Sequence, residues 1–363
     1  MECLGRPVWS SFRRKELNQL RIETPDSKIR KRVLRNWDLI AKPIDGMGSF
    51  EALTAQIGAI TGTDKIDISK KAVIIMCADN GIVEEGVSQC GQEVTLAVVQ
   101  AMTKKQSSVG RMAEKIRADT IPVDIGINQK SPIPGVVDRK ISCGTRNFKK
   151  EKAMTETEAI QAVAVGIDMV FSCKMAGYQI VAAGEMGIGN TTTSSAVAAA
   201  LLHCEAERVT GRGAGLSDEG LFCKQQMIKE AIEKYDLEKA DVVDILTSVG
   251  GLDIAGLAGV CIGGALYHVP VVLDGVISMV AALLAERMVP GTRAYLIPSH
   301  KGKEPAVEML MKELKLEPVI DGKMALGEGT GAVMMLALLD MALSVYNDRT
   351  TFSDIEIEQY KRH

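Results

Sequence analysis

Three glycine-rich segments carry the residues whose types and spacing suit work on a phosphorylated substrate. In the first, 184–193 (GEMGIGNTTT), Gly187 and Gly189 let the backbone approach a ligand closely, and Asn190 with three threonines then begins a predicted helix. Free N–H groups and the dipole at a helix N-terminus favour an anion, so a phosphate is the expected guest. The segment matches neither G-x-G-x-x-G nor G-x-x-x-x-G-K-[ST], and it therefore signals neither dinucleotide nor triphosphate binding.

The other two segments are less specific. The second, 211–215 (GRGAG), precedes a predicted helix that carries Lys224, and glycine amides with a cation suit a phosphate, although this composition alone is more typical of a mobile connector. The third, 326–331 (LGEGTG), brackets Glu328 with glycines ahead of an apolar helix. A carboxylate in a tight apolar turn can have a raised pKa and act as a general base, but the same place suits an acid that interacts with the helix dipole. Spacing leaves both roles open.

Short, continuous, β-branched runs predict the strands that position these segments. They lie at 72–78, 120–127, 178–183, 269–273 and 293–298, and helical patterns fill 94–118, 155–176, 192–203, 216–235, 256–266 and 276–287. The alternation predicts an α/β fold with a doubly wound, mostly parallel, Rossmann-like sheet. Ligands of such sheets bind beyond the carboxyl ends of the strands, where polar and glycine-rich residues such as Asp79, Glu185, Asp274 and His300 gather.

The two ends of the chain are predicted to be helical without strand partners. We therefore expect a smaller helical domain formed by both termini, 1–45 plus 310–363, and a large α/β domain at 46–309.

Composition excludes several classes of function. With 43 Lys and Arg against 46 Asp and Glu, a net charge of −3 and 14 aromatic residues in 363, the chain predicts no nucleic-acid partner. Apolar stretches fall short of the roughly 20 residues of a membrane span, and the N-terminus lacks a signal-peptide pattern, so we expect no membrane association. Eight cysteines without a C-x-x-C pair indicate reduced thiols and a cytoplasmic location, and four dispersed histidines predict no metal site.

Longer blocks follow one another in a fixed order along nearly the whole chain. They include KPIDGMGSFEAL at 42–53, ADNGIVEEGVSQCGQEVT at 78–95, GEMGIGNTT at 184–192, GRGAG at 211–215 and LGEGTGA at 326–332. Together they resemble the nicotinate-nucleotide:dimethylbenzimidazole phosphoribosyltransferases of cobalamin (cobamide) biosynthesis. The resemblance implies transfer of phosphoribose from nicotinate mononucleotide to an aromatic lower base, giving the α-riboside 5′-phosphate and nicotinate. It implies no cofactor or metal and a dimer with a Rossmann-like domain.

The resemblance also assigns roles to individual residues. Glu328 corresponds to the general base, and Glu185 to a second catalytic acid beside the reacting ribose. The residues expected to bind phosphate or nucleotide are Gly187, Gly189, Asn190, Gly213, Ala214, Lys224 and Gly302. The residues expected at the base pocket are the apolar Met186 and Leu326, with Ser88 on its rim.

Four positions depart from the family pattern. Gly302 stands where members commonly have a serine, Asn80 and Ala325 stand where many have His and Arg, and Asp253 replaces a more usual Glu. The preferred base therefore stays open among 5,6-dimethylbenzimidazole, related bases and phenols, and so does the choice between a homodimer and a heterodimer. A second reading is a low-activity or non-catalytic subunit that supports an active paralogue, although the retained Glu328 and Glu185 argue against it.

Overall fold

A computed structural model describes residues 11–213 and 215–362, and its centre is an all-parallel sheet of six strands. The strands are β1 (Lys71–Ala78), β2 (Asp119–Gly126), β3 (Val137–Asp138), β4 (Ile180–Met186), β5 (Val271–Val272) and β6 (Leu296–Ile297). Their order in the sheet is β3-β2-β1-β4-β5-β6, so the winding reverses between β1 and β4. This is the Rossmann order, and it confirms the predicted α/β fold with a doubly wound parallel sheet.

Helices cover both faces of the sheet. They are α1 (Arg14–Gln19), α2 (Ser27–Asp38), α3 (Ser49–Thr61), α4 (Glu93–Thr103), α5 (Ser108–Lys115), α6 (Glu156–Met175), α7 (Asn190–Leu202), α8 (Asp218–Lys234), α9 (Val242–Val249), α10 (Leu252–Leu266), α11 (Val276–Met288), α12 (Val307–Leu314) and α13 (Thr330–Asn347). Successive side chains of a strand point to opposite faces, so β1 supplies two cores. Ile74 and Met76 join the first core, with α6, α7, α8, α10 and α11, whereas Val73 and Ile75 join the second core, with α2, α4, α5 and α13.

Two sequence predictions need correction. The helix predicted over 94–118 is two helices, because Lys105 takes a left-handed φ of 55° and Ser107 Oγ accepts a hydrogen bond from Gly110 N at 3.1 Å to begin α5. The strands predicted at 269–273 and 293–298 shorten to the two-residue β5 and β6, and a 3₁₀ turn, Thr292–Tyr295, takes up the start of the latter. The edge strand β3 carried no sequence signal.

The two terminal segments pack together. The rings of Trp37 in α2 and Tyr346 in α13 lie 5.2 Å apart, and Ile40 forms an antiparallel bridge with Thr351. Because α13 also covers β4 and β5, it belongs to the second core of the sheet as well as to the terminal helices. The division into two domains stays a prediction.

Helix α13 is also, by length and composition alone, apolar enough to cross a membrane. Its residues Val333, Leu336, Leu339 and Leu343 are instead packed into the second core, which is the arrangement of a core helix.

Candidate active site

A cavity of about 250 Å³ opens at the carboxyl ends of β4, β5 and β6. Its walls come from the segments after these strands and from the turn before α13, so residues far apart in the sequence meet there. Eight of the residues predicted from the sequence line it, namely Glu185, Met186, Gly187, Asn190, Gly213, Gly302, Leu326 and Glu328. The position agrees with the rule that open α/β sheets bind ligands beyond the carboxyl ends of their strands.

Glu328 lies in a strained turn immediately before the N-terminus of α13. Its φ is +61°, and the flanking Gly327 and Gly329 have φ values of +82° and +90°, so three successive residues are left-handed. Glycine tolerates this conformation, but a glutamate is held in it at a cost of order 1–3 kcal/mol. Strain of this kind persists only where the surroundings fix it, which suits a side chain that must point at one place.

The carboxylate of Glu328 is half-buried and faces the start of α5. Its Oε2 accepts a hydrogen bond from Val109 N at 3.3 Å. Burial raises the pKa of Glu328, the Val109 amide opposes that shift, and the carboxylate of Asp274 adds to it. Glu328 thus combines a raised pKa with access to the cavity, which is what a general base needs.

Asp274 holds the turn that contains Glu328 in place through hydrogen bonds to its backbone and to the first residues of α13. This buried carboxylate follows β5 and accepts hydrogen bonds from three backbone amides at the start of α13, Gly329 N at 3.1 Å, Gly331 N at 2.7 Å and Ala332 N at 3.2 Å. The first residues of a helix leave N–H groups unpaired, and an anion there is also favoured by the dipole. Sequence reasoning placed Asp274 at a strand end but gave it no role.

Two glycines let the turn lie directly on the sheet. A Cβ atom on Gly184 in β4 would sit 2.7 Å from the carbonyl oxygen of Glu328, and one on Gly329 would sit 2.8 Å from Val73 Cγ1. Both distances are shorter than real Cβ contacts, so only glycine permits this approach.

A cluster of buried acids lies beside the turn. Glu185 receives a hydrogen bond from the Asn190 side-chain amide, and a Cβ on Gly187 would lie 2.7 Å from Asp253 Oδ2. Burial, aided by the charges of Asp253 and Asp274, raises the pKa of Glu185 to about 8, and burial raises the pKa of Asp253 to about 6. Burial therefore favours the protonated form of Glu185 more strongly than that of Asp253.

Within residues 11–213 and 215–362, no group of three or more His, Cys, Asp or Glu side chains is arranged to hold a metal ion.

Lys224 lies behind the opposite wall of the cavity. It is fully buried in α8, and its Nζ donates to Thr191 Oγ1 at 3.0 Å and to the Gly211 carbonyl at 3.2 Å. Burial lowers the pKa of Lys224 to about 8, an effect that the charge of Glu304 opposes. The third ammonium proton has no partner among the described residues, and Thr191, which accepts one of the other two, lines the cavity.

Two predicted residues lie at a neighbouring cavity, and a third is outside the described residues. Ser88 and Gly189 line a neighbouring cavity of about 70 Å³, which shares Gly187 and Asn190 with the main cavity. Ser88 Oγ lies 3.7 Å from Cys90 Sγ there. Ala214 lies outside the described residues.

Asn80 and Ala325, singled out as departures from the family pattern, also fall at the site. Asn80 Nδ2 donates to the Ile188 carbonyl at 3.4 Å, and Ala325 lines the main cavity.

The two cores of the sheet serve different walls of the cavity. The turn of Glu328 begins α13, and Met186 packs in the same second core, whereas Lys224 is carried by α8, which packs in the first core with α7.

Comparison with known proteins gives one consistent result. A family model described as phosphoribosyltransferase matches residues 22–357. A protein of Clostridium acetobutylicum named nicotinate-nucleotide–dimethylbenzimidazole phosphoribosyltransferase is 43% identical over 336 residues, which cover 93% of this chain and 96% of that protein. A protein of Acetivibrio thermocellus with the same name is 44% identical over 329 residues, which cover 91% of this chain and 94% of that protein. The crystal structure of CobT from Thermus thermophilus aligns with a TM-score of 0.87 at 33% identity and covers 92% of this chain and 100% of that one. The chain belongs to the nicotinate-nucleotide–dimethylbenzimidazole phosphoribosyltransferase family.

Proposed function

We propose that this chain transfers the 5-phosphoribosyl group of nicotinate mononucleotide to an aromatic base and releases nicotinate. The base is 5,6-dimethylbenzimidazole or a related ring, a phenol included, and the product is its α-riboside 5′-phosphate. The observation that carries the proposal is one cavity that joins an ionisable carboxylate, Glu328, to a wall backed by the buried cation of Lys224, in a chain of this family.

The phosphate belongs on the wall formed by Thr191 and Gly213. Lys224 supplies a buried positive charge behind them, and a charge-assisted hydrogen bond to a phosphate is stronger than a neutral one. Binding of a dianionic phosphate there favours the protonated form of Lys224, whose pKa burial has lowered to about 8.

The base belongs between Met186 and Leu326, within reach of Glu328. The N-glycosidic bond of the nucleotide breaks as nicotinate leaves, and the pyridinium form of the leaving group departs without a proton. The unprotonated ring nitrogen of the incoming base attacks the anomeric carbon from the opposite side, which inverts β to α, and the N–H proton on its other ring nitrogen passes to Glu328. A phenol loses its O–H proton to the same carboxylate.

The two acids have different roles because their surroundings separate their pKa values. Burial among carboxylates raises the pKa of Glu185 to about 8, which favours its protonated form, and we assign it to positioning the ribose. Glu328 is less buried and accepts a backbone hydrogen bond that favours its ionised form, so it is the acid available to take a proton.

The decisive experiment is Glu328→Gln, which keeps the shape of the side chain but removes proton acceptance. We expect nicotinate release with the best base to fall about 10²- to 10⁴-fold. Glu317→Gln, at an exposed position before the same turn, is the matched control and should retain full activity. A decrease of less than about tenfold in Glu328→Gln would show that Glu328 is not the base.

A subunit that only supports a paralogue is the less favoured alternative. Incubating the purified chain alone with nicotinate mononucleotide and a panel of bases separates the two, since only an enzyme releases nicotinate. We also propose that the chain acts in the cytoplasm as a dimer; the dimer is supported by the exposed apolar side chains of Met334, Met341 and Val345 on α13. A monomeric mass by light scattering would contradict the dimer.

A further inference from the structure

A buried histidine outside the proposed machinery faces the same cavity. His300 follows β6, is 4% exposed and lines the cavity wall. Its ring packs so closely against the start of α13 that any side chain at Gly331 would overlap it. Gly275 and Gly302 flank the Nε2 atom: Cβ atoms built on them would lie 3.7 Å and 3.8 Å away.

The hydrogen bonds on the other side of the ring define what Nε2 can do. His300 Nδ1 lies 2.9 Å from Ser299 Oγ, and Ser299 Oγ donates to the Asp274 carbonyl at 3.3 Å. A serine hydroxyl has one proton, so both bonds form together only when Nδ1–H donates to Oγ. With Nδ1 as the donor, the neutral form of the ring leaves Nε2 unprotonated, and Nε2 has no hydrogen-bond partner among the described residues.

We infer that His300 Nε2 accepts a hydrogen bond from a ribose hydroxyl of the nucleotide. A hydroxyl has the proton that this lone pair requires, whereas a phosphate oxygen does not. The carboxylate of Asp274, beside the ring, also disfavours an anion at this place, and the cation that suits the phosphate lies behind Thr191 on another wall. His300 is thus a substrate-binding residue that fixes the ribose between the phosphate and Glu328. This inference rests on the proposed function.

Two variants separate this contact from a structural role. His300→Phe fills the same space but cannot accept a hydrogen bond, whereas His300→Gln places a polar group where Nε2 was. Binding is measured by calorimetry with nicotinate mononucleotide, its 2′-deoxy and 3′-deoxy analogues, and nicotinate riboside, which lacks the phosphate. Because one neutral hydrogen bond is lost, we expect His300→Phe to weaken nicotinate mononucleotide binding about 3- to 10-fold and His300→Gln to recover most of that loss.

The analogues decide the assignment. We expect the loss in His300→Phe to disappear with one of the deoxy analogues and to persist with nicotinate riboside. An equal loss with every ligand would mean that His300 only supports α13, and a loss that disappears with nicotinate riboside would mean that it contacts the phosphate; either result overturns the inference. Wild-type protein that binds no nicotinate mononucleotide would overturn the proposed function as well, whereas normal wild-type turnover with an equal loss would overturn this inference alone.

Discussion

Gly184→Ala tests whether the exact place of the Glu328 turn sets the rate. The added Cβ would lie 2.7 Å from the Glu328 carbonyl oxygen and 3.1 Å from its carbon, both of them backbone atoms that cannot rotate away. Ordinary contact begins at 3.4 Å, so the turn must retreat by about 0.7 Å. Overpacking of this kind costs about 1–3 kcal/mol of unfolding free energy, which the chain should tolerate.

The effect on catalysis should exceed the effect on binding. Displacing reacting groups by about 1 Å costs up to about 100-fold in rate, so we expect kcat to fall about 10- to 100-fold. The dissociation constant for nicotinate mononucleotide should change less than about threefold, because Lys224 and Thr191 lie on other elements and stay in place. Steady-state nicotinate release gives the first quantity and calorimetry the second.

The control is Gly220→Ala in α8, where the nearest atom to the added methyl group is the flexible end of Leu216 at 3.2 Å, and Leu216 Cβ and Ser217 Oγ lie at an ordinary contact distance of 3.5 Å. It should leave kcat unchanged. If Gly184→Ala is folded by circular dichroism and keeps kcat within about threefold of wild type, the reasoning that the glycine holds Glu328 in its working position is refuted.

Three further outcomes follow from the site. Lys224→Ala should raise the dissociation constant of nicotinate mononucleotide about 10- to 150-fold, with little change in the dissociation constant of the free base. Lys229→Ala, at an exposed position on the same helix, should change neither constant. An equal loss of affinity for both ligands in Lys224→Ala would indicate misfolding. Burial raises the pKa of Glu185 to about 8 in the folded chain, so the wild-type protein should lose unfolding free energy relative to Glu185→Gln as the pH rises from about 4.5 to 8. The loss should be at most about 1.4 kcal/mol per pH unit. A difference between the two proteins in urea unfolding that does not change with pH would contradict this. The apolar walls at Met186 and Leu326 should accept dimethylbenzimidazole and at least one other base, because one methyl group changes the preference for a substrate only about 10- to 200-fold. In a competition experiment with products separated by mass, a preference for one base of more than about 10⁴-fold would show that polar groups of the pocket select the base.

The strongly patterned parts of the fold could be predicted from the sequence. The run at 72–78 is continuous and β-branched because β1 is buried on both faces, so pattern and burial agree. The end of a helix depends on weaker signals. The break between α4 and α5 rests on one left-handed residue, Lys105, and one serine cap, and neither interrupts the apolar pattern enough to be recognised.

The candidate site divides in the same way. Glycine spacing drew attention to Glu328 and to the segment of Gly187, because close backbone approach leaves a compositional trace. The contact between Glu328 and Val109 joins residues 219 positions apart, and the capping of α13 by Asp274 joins residues more than 50 apart, so no local pattern records them. Lys224 was predicted as a phosphate contact, but its complete burial depends on packing that composition does not encode.

The two-sided sheet has a consequence for how such an enzyme can diversify. The wall that suits the phosphoribosyl donor is carried by helices of one core, and the carboxylate and apolar walls that suit the acceptor ring are carried by the other. Substitutions distant from one another and without shared partners have nearly additive effects, so changes beneath α13 that leave the contact of His300 with Gly331 intact can alter acceptor choice while the affinity of the phosphate wall for the donor is retained. Gene duplication followed by substitutions confined to the second core would then yield paralogues that use the same nucleotide donor and transfer its phosphoribosyl group to different bases.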